Sequence, residues 1–377
     1  MPEKKVLFCR SNPIAPDPRV EKEARALTRS GYSVDVLAWD RTASQPRVEQ
    51  REGFFIYRIP IRAGYAAGIL NLPNLLRWQV ALVGWLFRHA HEYDILHACD
   101  FDTILPALWT GRLYGKRVVY DIFDFYADHL RRTPGWIKNW IRRRDLRAID
   151  QADAVILCDD ARREQIAGSH PRRLEVIYNS PEDERDFLPA FQPSPKGVLR
   201  LSYVGLMHVE RMLLEMLDVL SRHPQWTLDM AGFGGDEPVI LEKLRTLPNA
   251  LWHGRVPYRK ALELSQSADV LFALYDPAVI NNRYSSPNKL FEAMMLGKPI
   301  VVAQGTNVDR IVEEWGMGIA IPYGDVDALD EALSRLAEDP DLRERMGKAA
   351  RRAYETRFGW KVMEQRLMDL YRELNGA

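Results

Sequence analysis

Lys289 and Glu292 stand in the run Ser286-Pro287-Asn288-Lys289-Leu290-Phe291-Glu292-Ala293-Met294-Met295-Leu296-Gly297-Lys298-Pro299-Ile300-Val301-Val302. The run reads as a loop, a helix from about Asn288, a glycine stop at Gly297 and a buried strand. At i and i+3 the two charged side chains share one helix face. A helix N-terminus presents backbone N–H groups and the positive end of its dipole, which suits a diphosphate. The lysine can neutralise phosphate charge, while the carboxylate can accept two hydrogen bonds from a ribose diol. On spacing alone, a solvated Lys–Glu pair is the simpler account, since such pairs are common and contribute only tenths of a kcal/mol.

A second pattern is Asp100-Phe101-Asp102 after a strand. Two carboxylates so placed could hold a metal that bridges a diphosphate. The later lysine–helix segment is the better phosphate site, which leaves Asp100 as a cleft-lining candidate and no metal is expected.

The elements that must carry these residues alternate between short apolar strands and longer helical patterns, the signature of βαβ units and parallel sheets. Strands are expected at Val6–Cys9, Val34–Trp39, Ile95–Ala98, Val118–Tyr120, Ala154–Leu157 and Val176–Tyr178. A second set follows at Leu201–Val204, Thr227–Ala231, Leu251–Trp252, Val270–Leu274 and Pro299–Ala303. Asp17 is a good N-cap, with Pro18 opening the first helix and Gly31 ending it. Phe187 to Gly197 carries Pro189, Pro193 and Pro195 with little periodicity, which marks an interdomain linker. Two open α/β sheets leave a cleft, and ligands lie beyond the carboxyl ends of strands.

A length of 377 residues makes two domains the prior, and 52 basic against 52 acidic residues gives no overall field for nucleic acid. Cys9, Cys99 and Cys158 lack metal-site or disulfide spacing and read as buried thiols. The opening residues show no leader pattern, and Val80–Phe87, the longest apolar stretch, is too short to span a bilayer, so a reducing, cytosolic setting is expected. Two stretches bear on a membrane surface. Leu70–Phe87 has Trp78 and Trp85 with Arg77 and Arg88 nearby, and reads as a core helix. His129–Arg147 mixes Trp136, Ile137, Trp140 and Ile141 with Arg131, Arg132, Lys138, Arg142, Arg143 and Arg144. It fits an anionic interface as well as a solvated basic face.

The Ser286–Val302 segment resembles the donor-nucleotide motif of family 4 glycosyltransferases, retaining enzymes of the GT-B fold. An ordered series supports the resemblance: Asp17-Pro18-Arg19-Val20, Ile95-Leu96-His97, Val119-Tyr120-Asp121, Ala152-Asp153-Ala154-Val155, Val176-Ile177-Tyr178-Asn179, Tyr203-Val204-Gly205, Ala231-Gly232-Phe233-Gly234 and Ala268-Asp269-Val270. The resemblance implies two Rossmann-like doubly wound α/β domains facing a cleft. The first covers 1–187 on the acceptor side, with 188–198 as linker. The second covers 199–355 and binds the nucleotide sugar, and a helix at 356–377 crosses back. Glu292 would hold the ribose; Lys289, Arg211 and the amides of the helix that starts at Asn288, after Pro287, would hold the diphosphate. Gly205 and Gly234 would let backbone approach the donor, and Val256 would lie in the base-binding loop.

The implied reaction moves a hexose-type sugar from a UDP- or GDP-sugar to a glycan or lipid-linked acceptor, with retention, without metal and without another cofactor. The implied setting is cytoplasmic and peripheral at the inner membrane face. Asp17, Arg19, Asp100 and Asp124 are the acceptor-side candidates, with Asp124 also placed among the catalytic set. Three departures matter: Asn12-Pro13-Ile14-Ala15-Pro16-Asp17 stands where many relatives have a glycine pair, Phe123 where relatives often have a histidine, and Tyr284 where a second glutamate would precede Glu292. They leave open a GT-B epimerase and a catalytically degenerate nucleotide-binding subunit.

Overall fold

The computed structural model describes residues 4–64, 71–129 and 133–376. Two compact units divide the chain: residues up to Tyr178 together with those from Glu364 on, and Asn179–Met363. Each is an α/β unit of Rossmann type built on its own sheet.

In the first unit the strands are β1 (Lys5–Arg10), β2 (Ser33–Asp40), β3 (Val48–Arg51), β4 (Phe54–Pro60), β5 (Ile95–Cys99), β6 (Arg117–Ile122), β7 (Ala154–Leu157) and β8 (Leu174–Val176). Their order is β3-β4-β2-β1-β5-β6-β7-β8, parallel except for the β3–β4 pair. Val6, Leu7, Phe8 and Cys9 are all fully buried, as expected where helices cover both faces of a parallel sheet. Asp17 caps the helix Pro18–Arg29, its side chain accepting from the Val20 amide at 3.4 Å. That helix links β1 to β2. The links from β4 to β5, β5 to β6 and β6 to β7 advance the opposite way across the sheet. Right-handed crossovers therefore put the helices Leu72–His89, Phe101–Tyr114 and Gly135–Gln151 on the other face. There the first packs on the second and the second on the third.

The second unit holds β9 (Arg200–Leu206), β10 (Thr227–Phe233), β11 (Ala250–Trp252), β12 (Val270–Ala273), β13 (Ile300–Ala303) and β14 (Gly318–Ile321). All pairs are parallel, in the order β11-β10-β9-β12-β13-β14. Leu201, Leu217, Met230, Val270, Phe272 and Val301 contribute to its core. The helix Asn288–Leu296 precedes β13 and stops at Gly297, whose φ of 66° is the left-handed cap expected of that glycine.

The division between units falls after Tyr178, whereas the proline-bearing segment 188–198 lies wholly inside the second unit. There the Ser194 amide donates to the Asp269 carboxylate at 2.8 Å, and Arg343 donates to the Ser194 carbonyl at 2.6 Å. Irregular backbone is here pinned by buried charge. The helix Trp360–Gly376 belongs to the first unit from Glu364 on, where the Tyr371 hydroxyl meets His97 Nδ1 at 2.7 Å. Cys9, Cys99 and Cys158 are buried free thiols. Among the described residues no helix is long and apolar enough to cross a membrane.

Candidate functional site

The second unit gathers its motif residues where β9 and β10 end and the helix Asn288–Leu296 begins. Lys289, one residue into that helix, lays its ammonium over the Tyr203 ring at 3.5 Å and reaches towards Tyr275, 6.0 Å away. Gly205 makes the seat possible, because a Cβ there would lie 2.9 Å from Lys289 Cε and 3.0 Å from its Nζ. Arg211 stacks on the other platform ring, its guanidinium carbon 4.0 Å from the centre of Tyr275. Its Nη1 is buried with no hydrogen-bond partner among the described residues. Burial, then the neighbouring Arg211 charge, hold the Lys289 ammonium well below its ordinary pKa, with Glu292 opposing. Lys289 and Arg211 share an aromatic floor and press on one another, so the pocket favours an anion.

Glu292 is 9% exposed and accepts a hydrogen bond from the Tyr258 hydroxyl. Burial, then the Glu292 charge, raise the Tyr258 phenol, which keeps it a donor. A carboxylate that accepts from a hydroxyl is chemically suited to take a diol in its place. Pro287 supplies the extended residue before the helix, Asn288 is exposed at its first position, and Val256 is half-buried in the loop after β11. Gly234 sits against backbone, since a Cβ there would be 2.2 Å from the Met207 carbonyl oxygen.

In the first unit, Arg10 at the end of β1 pairs with Asp17 at 2.9 Å and with Asp100. Asp100 also accepts from the amides of Phe123 at 2.9 Å and Asp124 at 3.3 Å. Burial raises the Asp100 carboxyl to about 6, with Arg10 pulling it back. The Phe123 ring lies between two guanidinium carbons, Arg10 at 4.1 Å and Arg19 at 4.9 Å. Arg19 is itself buried and grips Asp121 through Nε at 3.1 Å and Nη2 at 2.8 Å, while Nη1 donates to the Ile177 carbonyl at 2.7 Å. Asp124 is half-buried and held by Arg162 at 2.7 Å. His97, Cys99 and Asp121 each offer a ligand atom within 4.8 Å of the others. Arg19 already fills Asp121 and Tyr371 engages His97, so this trio serves the buried charge network.

The family description "Glycosyl transferase 4-like domain" matches residues 16–180, and "Glycosyl transferases group 1" matches residues 201–353. The chain belongs to the family 4 glycosyltransferases. This glycosyltransferase is 24% identical over 294 residues to the glycogen synthase of Mycobacterium tuberculosis, covering 74% of this chain and 68% of that one. Among solved structures, sucrose-phosphate synthase from Thermosynechococcus elongatus superposes with a TM-score of 0.78 at 15% identity, covering 99% of this chain and 100% of that one. HepE from Anabaena, solved in complex with UDP and glucose, gives 0.71 at 16% identity, covering 98% and 100%. These likenesses establish the GT-B fold.

Within the second unit of the glycosyltransferase, the structure brings Gly205, Arg211 and Lys289 together and puts Glu292 on the same helix one turn further on. Asp17, Arg19 and Asp100 are placed in ion pairs that brace the loop after β1, with Asp17 also the helix cap. Four participants went unnoticed in the sequence: Tyr203 and Tyr275 as the floor, Tyr258 on Glu292, and Arg10 at the hub of the first unit. Tyr275 and Arg10 carried a usable signal, as each lies at or just beyond the carboxyl end of a strand. Gly232 forms the close approach of β10 to β9: its φ is 148°, and a Cβ there would sit 1.8 Å from the Gly205 carbonyl oxygen. Gly232→Ala should therefore cost more than the roughly 1–3 kcal/mol of a strained backbone alone. Thermal unfolding checks this; a melting temperature within a degree of the parent would contradict it.

Proposed function

We propose that the chain transfers a hexose-type sugar from a UDP- or GDP-sugar to a glycan or lipid-linked acceptor, with retention of anomeric configuration. The supporting observation is the pair of cations, Lys289 and Arg211, over Tyr275 with Arg211 Nη1 unpartnered. Negative charge grows on the departing diphosphate as the glycosidic bond breaks, and prearranged cations and helix amides stabilise it there. That supplies the neutralisation a metal provides in other transferases, so the reaction runs on protein groups. Glu292 exchanges the Tyr258 hydroxyl for the ribose diol. The leaving phosphate takes the acceptor proton. A lipid-linked acceptor fits a cytoplasmic enzyme working at the inner face of the cell membrane.

Thermal unfolding with UDP, GDP, ADP and their sugar conjugates tests the donor class, because a ligand that binds only the native state raises its apparent stability. One nucleotide series should raise the melting temperature in the parent and not in Glu292→Ala. If no series does so, the donor assignment fails. NMR of the product's anomeric centre decides retention. Phe123 favours a second reading, since a ring between two arginines offers no proton-transfer group. Tight nucleotide binding with no turnover on any acceptor pool would indicate a degenerate subunit, and an epimerised donor would indicate an isomerase.

A further inference from the structure

The three helices on one face of the first sheet expose apolar and basic side chains. The helix Leu72–His89 buries Trp78, Leu82 and Leu86, so only one side of it is core. Its other side leaves Leu76 58% and Val80 74% exposed. On the adjoining helix Phe101–Tyr114, Trp109 and Leu113 are 57% and 64% exposed, with Arg112 between them. On the third, Trp136 and Trp140 are 73% and 54% exposed, one turn apart, and Arg143, Arg144 and Arg147 continue the same stripe. The Arg144 guanidinium carbon lies 5.4 Å from the Trp140 ring centre, so the charge stays beside the indole.

Acidic residues are nearly missing from this layer. Leu72–His89 contains none, Asp102 is half-buried at the start of the second helix, and Asp145 is buried on the Tyr120 hydroxyl at 2.6 Å. Asp150, in the last turn of the third helix, is exposed. A chain with equal numbers of basic and acidic residues thus has an excess of arginines on one face, where Asp150 is the exposed acid among the described residues of these helices. Exposed apolar patches of this kind mark interaction sites, and indoles flanked by arginines suit the boundary between lipid headgroups and acyl chains. Exposed indoles at one end of a helical stripe run into arginines at the other, with Arg144 beside Trp140, which matches an anionic interface.

We propose that the outer faces of these three helices dock the enzyme on an anionic lipid bilayer. The inference deepens the reading of a lipid-linked acceptor, yet stands on the surface alone. Flotation with vesicles of phosphatidylglycerol and phosphatidylcholine tests it, beside vesicles of phosphatidylcholine only. The parent should float with the anionic vesicles, less so as salt rises, and stay behind with neutral ones. Arg143→Glu with Arg144→Glu should weaken partition at least about tenfold. Trp136→Ser with Trp140→Ser should weaken it at every salt concentration. Exposed substitutions of this kind leave the fold intact, which an unchanged melting temperature and an unchanged nucleotide response confirm. A parent that fails to float with anionic vesicles overturns the proposal, as do variants that float like the parent. A parent that is dimeric, does not float and becomes monomeric in the tryptophan variant would assign the face to a second copy instead. The nucleotide measurement reports separately on the donor site, so either conclusion can fail alone.

Discussion

Lys289→Ala and Arg211→Ala should each lower kcat/KM for the nucleotide sugar by about 10²–10³, the usual cost of removing one prearranged donor from a developing anion. Neither substitution should unfold the second unit. Lys289 rests on the surface of Tyr203, and Arg211 on Tyr275, so alanine leaves the rings and the sheet beneath in place. Lys289→Arg should fail to restore activity. The seat of the ammonium is closed by Gly205, whose missing Cβ would be only 3.0 Å away, and a planar guanidinium needs more room. A protonation signature accompanies the loss. In the free protein burial and Arg211 hold the Lys289 ammonium below its ordinary pKa. An arriving diphosphate raises it again, so binding takes up a proton wherever the pH lies between the free and bound values. Affinity for the nucleotide should then fall as pH rises through the free value, and calorimetry in buffers of different ionisation enthalpy should register the uptake in the parent but not in Lys289→Ala. Zero uptake across the whole range, with full activity in Lys289→Ala, would remove this lysine from the site.

What the sequence disclosed followed the strength of its local signals. Runs such as Val6–Cys9 and Ala154–Leu157 are apolar throughout because helices cover both sheet faces, and the observed strands coincide with them to within a residue or two. The β3–β4 hairpin carries no such run: Phe54–Pro60 alternates buried with partly exposed positions, and Val48 is exposed. Gly318–Ile321 is a half-buried edge strand and equally quiet. Proline content misled at 188–198, since it reports irregular backbone and says nothing of Asp269 and Arg343 gripping it from elsewhere in the chain. Lys289 and Glu292 were legible because one helix turn sets their relation. Tyr203 and Tyr258 were not, because sheet order and loop packing bring them there from distant positions, and Tyr275 offered only its place just beyond the end of β12.

Arg19→Met should cost the first unit about 3–5 kcal/mol at neutral pH, since it strips a buried carboxylate of its partner. Asp121 and Glu23 are both fully buried, and Arg19 is the cation that answers them, bidentate on Asp121 and 3.3 Å from Glu23. Although burial pushes Asp121 up, Arg19 and then His97 hold it below its ordinary value. That stabilising contribution exists above the unfolded carboxyl pKa and vanishes as pH falls through the folded one. Glu23 behaves oppositely: burial, then Asp121, raise it to about 8 against Arg19, so it folds largely as the neutral acid. Between the ordinary value of 4.5 and about 8 the native state keeps a proton that the unfolded chain has released, and its contribution declines as pH rises. Glu23→Gln keeps the neutral form and should flatten that decline, leaving a protein more stable than the parent at pH 8. In Arg19→Met the two carboxyls lose their cation together, so the deficit should be large at pH 8 and shrink towards pH 4 as they accept protons. Denaturant unfolding of the three proteins at both pH values reads the difference. An equal deficit at each pH would mean that Arg19 stabilises by packing against Phe123 rather than by charge.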